Sequence, residues 1–297
     1  MKFGMVNGIS AYLIWGLLPI YWKLLDYYGA DIVFSHRIIW SFVFMIFLLL
    51  FTKQFTPFLQ ECKRIFTNIK SLFLMIIIAL FISTNWLTFI WAVQNDYVIQ
   101  TSLGYYINPL VNILLGVVVL KERLSKVQTI SCILAFIGVT YMTFSYGVFP
   151  WVSLVLATSF GLYGLMKKIA NIHSMYSLAI ETALILPFVL IYLIYVYDFR
   201  LAMNFDLVGQ NILLIFTGVA TAVPLLLFGS AVRYLTYSMV GFLQYIAPTI
   251  MLFIGVFLYN EPFTFDHLIT FLFIWVALVV YISSTFKLGK RLLKKSS

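Results

Sequence analysis

The sequence predicts an all-α integral membrane protein: ten transmembrane helices arranged as two inverted five-helix repeats. Composition, an internal duplication and the placement of basic residues predict it. Of 297 residues, 63% are hydrophobic and 10% are charged, whereas a soluble domain averages about 25% charged. At roughly 20 to 25 residues per span, about ten helices fit with short loops and no room for a separate globular domain. The apolar runs are continuous rather than alternating with polar residues, which argues against a β-barrel.

The duplication is read from Tyr106-Ile107-Asn108-Pro109, Gly116-Val117 and Glu122, which recur 139 residues later as Tyr245-Ile246-Ala247-Pro248, Gly255-Val256 and Glu261. Ala92-Val93 matches Ala231-Val232 at the same offset. At an offset of 145, Trp15-Gly16 and Lys23 match Phe160-Gly161 and Lys168, and His36 then matches Glu181. Five spans per half is an odd number, so the second half is expected upside down relative to the first. Inverted repeats supply two similar energy minima, one open to each side, and so point to a secondary transporter working by alternating access.

Taken in order, the spans begin with Phe3 to Trp22 and Ile32 to Thr52, followed by Ser71 to Asn95 and Tyr97 to Leu120. The run Val127 to Met166 is twice too long for one crossing. Turn chemistry at Ser145-Tyr146-Gly147 and Pro150 divides it into the fifth and sixth spans. The last four lie near 176–197, 211–232, 238–259 and 267–286. The repeats are expected over residues 1–145 and 146–287, with a basic tail at 288–297. The first run lacks a small-residue cleavage site, so it reads as a retained helix.

Basic residues set the orientation. One side of the alternating scheme collects Lys2, Lys53, Lys63, Arg64, Lys70, Lys121, Arg123, Lys126, Lys167, Lys168, Arg233 and the tail, sixteen of the nineteen lysines and arginines. The positive-inside rule then places both termini in the cytoplasm and the chain in the cell (inner) membrane. The net charge of +9 is thereby a matter of topology, and no nucleic-acid partner is expected. Cys62, in a basic loop, and Cys132, in an apolar run, form no disulfide framework. The three histidines lack metal-ligand spacing, so no metal or other cofactor is expected.

Several intramembrane residues are candidates for contact with a solute. Arg37, beside His36, and Glu181 in the matching place of the other half are ions that hydrocarbon disfavours by roughly 2.5 to 3.5 kcal/mol, so each should face a cavity or a partner. Arg37 suits an anionic group, Glu181 a proton or a cationic group, and His36 a proton. Snorkelling of Arg37 to the interface and helix capping by Glu181 are the competing readings. Asn85, with Thr88 and Ala92, forms a small polar face that fits helix packing or a ligand. Trp86, Tyr105, Tyr106 and Tyr245 offer flat apolar faces. Asn108 and Gln244 flank Pro109 and Pro248, which are expected to break or hinge their helices. Glu122 and Glu261, at membrane borders, read as gating or structural carboxylates that favour helix N-termini.

These residues carry a resemblance. The stretches Tyr12 to Lys23, His36-Arg37-Ile38-Ile39-Trp40-Ser41, Asn85-Trp86 with Trp91-Ala92-Val93, and Ser102 to Asn112 with Glu122-Arg123 resemble the RarD proteins. So do Glu181-Thr182, Gly241-Phe242 with Gln244 to Thr249, and Phe273 to Leu278. RarD proteins are a bacterial branch of the drug/metabolite transporter superfamily, built from two EamA-type repeats. The resemblance implies a central cavity between spans one to four and six to nine, peripheral fifth and tenth spans, and export or exchange of small metabolites.

The expected partners are therefore a small-molecule solute, the lipid bilayer and protons, with the chain a monomer or weak dimer. Import of the same solutes is equally compatible with inverted repeats. No GxxxxGK[ST] loop is present, so ATP is not the direct driver. A membrane-embedded enzyme would need clustered acids, a metal set or a nucleophile–base pair; neither HExxH nor GxSxG occurs. A passive channel would need a ring of like charge or a filter loop.

Overall fold

The computed structural model describes residues 2–95, 97–145, 147, 149–196, 208–260 and 263–293. Glu261 lies outside these residues, as does Arg200. Twelve helices form among them: α1 Lys2–Lys23, α2 Ala30–Phe51, α3 Phe55–Thr67, α4 Ile69–Gln94, α5 Val98–Val118, α6 Lys126–Ser145, α7 Trp151–Ala170, α8 Ser174–Val196, α9 Val208–Tyr234, α10 Tyr237–Gln244, α11 Ile246–Leu258 and α12 Phe265–Leu293. Ten spans result, with α10 and α11 together making the ninth. A 22-residue helix is about 33 Å long, enough to cross hydrocarbon of about 30 Å. Because the span count is even, both chain ends lie at one face, here called the terminal face; the opposite one is the far face.

The two halves interlock. α1 packs between α9 and the α10–α11 pair, and α7 packs between α4 and α5, the corresponding helices of the other half. α2 crosses α9 as α8 crosses α4, and α6 pairs with α12 at the periphery. Matched residues confirm the inverted relation at atomic level. A Cβ on Gly16 would lie 2.8 Å from Ile250 Cβ, and one on Gly161 would lie 2.8 Å from a methyl of Val111. Gly16 and Gly161 are related by 145 residues, Val111 and Ile250 by 139. The matched aromatics Trp15 and Phe160 meet edge to face, with centroids 5.9 Å apart. Close approach at small residues drives helix association in lipid, where no hydrophobic force acts between helices.

Two expectations are corrected here. The basic segment after the second span, read as a loop holding Cys62, is the helix α3. Phe55, Phe58, Cys62 and Ile65 recur along one side, and Phe58 and Ile65 are buried against α4, α8 and α2. Glu61 and Arg64 pair on its outer side at 2.8 Å. Amphipathic periodicity with this charge density suits the membrane–water interface. The prolines also act unequally. Pro109 sits inside the unbroken α5. The second copy is interrupted at Tyr245, whose N–H bonds to the Phe242 carbonyl in the tighter i to i+3 pattern, three residues before Pro248.

Candidate functional site

Arg37 lies seven residues into α2, about 10 Å from its far-face end at 1.5 Å per residue. Its guanidinium carbon is 4.8 Å from the ring centroid of Trp22 on α1 and 5.5 Å from that of Trp86 on α4. Its Nε donates to Thr221 Oγ1 on α9 at 2.9 Å. Tyr105 on α5 is close enough for an electrostatic interaction with it. These contacts come from both halves of the chain. Two indole faces, each contributing about 0.5 to 2 kcal/mol, offset much of the cost of placing the cation in the membrane. Among the described residues no carboxylate pairs with it; the ion pairs there are Lys23–Asp26, Arg64–Glu61 and Lys167–Glu181. Arg37, Trp22 and Trp86 are each half-buried. Tyr105 is 40% accessible. The group is therefore only partly covered by the helices that hold it.

Towards the terminal face the halves are joined by polar contacts. Asn112 Nδ2 donates to Gln244 Oε1 at 2.6 Å. The Tyr237 hydroxyl lies 2.9 Å from Asn112 Oδ1 and 2.6 Å from the Gly161 carbonyl. Beside them, the Asn108 side chain is buried with no protein partner for Oδ1. Below these, Glu122 reaches the N-terminus of α10. Its carboxylate accepts the Tyr237 N–H at 2.6 Å, the Ser238 N–H at 2.8 Å and the Ser238 hydroxyl at 2.6 Å. The anticipated affinity for a helix N-terminus is seen, but the helix belongs to the other half rather than to the segment that follows Glu122. Gly116 leaves the room: a Cβ there would lie 2.8 Å from both Glu122 Oε2 and Ser238 Oγ. Glu122→Ala strands two N–H groups and is expected to lower stability by about 1 to 2 kcal/mol, read as a fall in thermal midpoint in detergent.

Glu181 lies seven residues into α8 from the terminal face. Its carboxylate is held by Lys167 Nζ at 2.6 Å, by the Tyr163 hydroxyl at 2.9 Å and by the Ser177 hydroxyl. Glu181 is 1% and Lys167 6% accessible. Lys167 is thus a buried residue of α7 and not a loop lysine, which reduces the orientation count by one. Lys168 stays at the border, donating to the Val232 and Leu235 carbonyls at the end of α9.

The remaining candidates divide by position. Asn85 donates both amide protons to α7, to the Leu156 carbonyl at 2.8 Å and Ser159 Oγ at 3.0 Å, so it fastens the halves together. Tyr106 and Tyr245 pack in the apolar cluster with α6 and α12, Tyr106 edge-on to Phe271 at 5.4 Å. His36 is buried and accepts the Trp40 indole N–H at 3.1 Å. Trp22, Thr221, Tyr163 and Lys167 escaped the sequence reading as site residues. Trp22 was visible only as part of a matched stretch, and the other three become visible only through contacts between helices.

The chain's relatives agree with this architecture. The EamA-like transporter family matches residues 2–144 and 150–283. The chain belongs to the EamA-like transporter family. It is 45% identical over 288 residues to the uncharacterized transporter YojE of Bacillus subtilis (strain 168), covering 96% of this chain and 95% of that one. It is 40% identical over 280 residues to protein RarD of Escherichia coli (strain K12), covering 94% and 93%. These likenesses place it in the RarD branch of the EamA family. A solved crystal structure, 12% identical, superposes with a TM-score of 0.73 over 97% of this chain and 99% of that one, a likeness of fold alone. As an EamA protein the chain is a multi-pass membrane transporter, not an enzyme.

Proposed function

We infer that this transporter is a secondary-active permease that moves small organic metabolites or amphipathic compounds by alternating access, with Arg37 binding an anionic group of the solute. One observation carries the reading: among the described residues, a guanidinium that no carboxylate pairs, packed on two indoles of the first half and bonded to a hydroxyl of the second. Such a site favours a carboxylate joined to a flat apolar body, with Trp22, Trp86 and Tyr105 flanking the body. Inverted halves supply the second, oppositely open state. Fifteen lysines and arginines, with Lys167 removed from the count, support a cytoplasmic terminal face in the cell membrane and an external far face. Export is the direction carried by the resemblance; import or exchange runs through the same geometry in reverse.

The experiment is a metabolite screen in proteoliposomes loaded with a pH-sensitive dye, run on wild type, Arg37→Ala and Glu181→Gln. Saturable transport of aromatic or amino-acid-like anions, lost in Arg37→Ala, is the expected outcome. Equal transport of neutral or cationic solutes by wild type and Arg37→Ala would overturn the assignment.

A further inference from the structure

The 145-residue offset that relates α1–α2 to α7–α8 maps Trp22 onto Lys167 and His36 onto Glu181. Arg37 itself maps onto Thr182, so the two helix pairs each carry one cation, at unmatched positions and towards opposite ends of the bundle. At the far face, the α1–α2 pair places a cation, Arg37, about 10 Å along α2 and half-buried. At the terminal face, the α7–α8 pair places Glu181 about 10 Å along α8 and, nearer the helix end, a cation, Lys167, buried and neutralised by that carboxylate. A buried ion pair adds little to stability compared with apolar residues of similar volume, and its best-attested use is in specifying or switching a state.

The pair is enclosed, and a cavity lies on the same side of the bundle. A cavity of about 240 Å³ at the terminal face is lined by Asn7, Ser174, Ser230, Arg233 and His173 among others. Lys167 stands behind it: the direction of a Cβ on Gly229 meets Lys167 Cε and Ser174 Cβ, each at 3.2 Å. Beside apolar residues such as Leu226 and Met175, the cavity has basic and hydroxyl groups on its walls and, among the described residues, no carboxylate. His173 holds its proton less readily than a free imidazole, owing to burial and then to Arg233.

We propose that Lys167 is the second anion-binding cation of the solute path, reached from the terminal face, and that Glu181 is an internal stand-in for the solute's carboxylate. The inference rests on the permease reading above. When the terminal face opens, a solute carboxylate takes the place of Glu181 at Lys167. The displaced Glu181 carboxylate then accepts one proton from solution, so anion and proton enter together and the net charge of the cluster is unchanged. When the pair re-forms, the proton leaves with the anion. Tyr163 and Ser177 contact Glu181 directly, Phe228 and Gly229 of α9 bring no charge, and Tyr237 of α10 approaches through Gly164.

The test needs no identified solute. Ser230→Cys is placed in a Cys62→Ser, Cys132→Ser background. The purified protein in detergent is reacted with the anionic 2-sulfonatoethyl and the cationic 2-trimethylammonioethyl methanethiosulfonates, and the ratio of their rates is recorded. Glu181→Gln, which leaves Lys167 uncompensated, is expected to raise the anion-to-cation ratio about tenfold. Lys167→Met with Glu181→Met keeps an apolar contact in place of the ion pair and is expected to show no such rise. With Glu181 present, lowering the pH should move the ratio towards the Glu181→Gln value. Glu181→Gln itself should stay flat, which separates Glu181 from His173. A ratio insensitive to Lys167, Glu181 and pH, in variants that remain monodisperse, overturns the proposal. Arg37→Ala is expected to lose transport while leaving the ratio unchanged, so failure of the permease reading is distinguishable.

Discussion

Replacing Arg37 with alanine is expected to weaken solute binding about 100-fold, because truncating one partner of a desolvated charge pair costs roughly 2 to 5 kcal/mol. The same change should leave the fold intact. Arg37 is half-buried, and its protein contacts are one hydroxyl and two ring faces. Losing a membrane-embedded charge also removes an insertion cost of about 2.5 to 3.5 kcal/mol. Thermal stability should therefore hold or rise while binding fails. Lysine should not restore the site, since a compact ammonium neither stacks flat between Trp22 and Trp86 nor forms a two-pronged contact with a carboxylate. Titration of the screened solute against tryptophan fluorescence provides the check, because two indoles flank the guanidinium. Unchanged affinity in Arg37→Ala would remove Arg37 from the site.

Valine at position 218 is expected to be the most damaging substitution for the fold. A Cβ on Gly218 runs into the backbone of Trp40, the carbonyl carbon included. Helix α9 thus touches α2 backbone to backbone at this crossing, and the Ser41 hydroxyl donates to the Gly218 carbonyl at 3.1 Å. Backbone cannot turn aside as a flexible side chain can, so the helices must separate. Overpacking of this kind costs about 1 to 3 kcal/mol, and more where no relaxation is available. The site suffers as well, because Thr221 is one turn from Gly218 on α9 and Arg37 one turn from Ser41 on α2. Gly218→Val should give aggregated or low-yield protein by size-exclusion chromatography. Thr221→Val, which removes only the hydroxyl, should remain monodisperse and bind solute about three- to tenfold more weakly. Normal yield and stability for Gly218→Val would show that the crossing is looser than described.

Length, apolar runs and the repeated Pro–Gly–Glu spacing were enough to read ten spans and their inverted halves, because hydrophobicity and topology are written in local sequence. Contacts between helices were not. Lys167 sits where a span meets its loop, and nothing local separates a buried lysine from an interfacial one; its partner Glu181 is fourteen residues away on the next helix. Trp22 was hidden by abundance, since aromatics make up 19% of the chain and most serve as interface or packing. Tyr106 and Tyr245 illustrate the reverse. Their place in both copies drew notice, yet the shared feature is packing against α6 and α12. Helix α3 is hard to read because thirteen residues are too few to span and three charged groups interrupt the apolar pattern, although the 3.6-residue period is there. The equal spacing of Pro109 and Pro248 could not reveal that only the second copy breaks, as both remove one backbone donor and tertiary packing decides the outcome.

In the proposed alternation, two inverted halves expose one site to each face in turn. Solute counterflow in proteoliposomes tests this most directly: vesicles are preloaded with unlabelled solute and entry of labelled solute is followed. Alternation predicts saturable entry that is faster into preloaded than into empty vesicles, because a loaded carrier returns more readily than an empty one. Entry proportional to concentration, with no acceleration from the far side, would mean a continuous pore and would contradict the account.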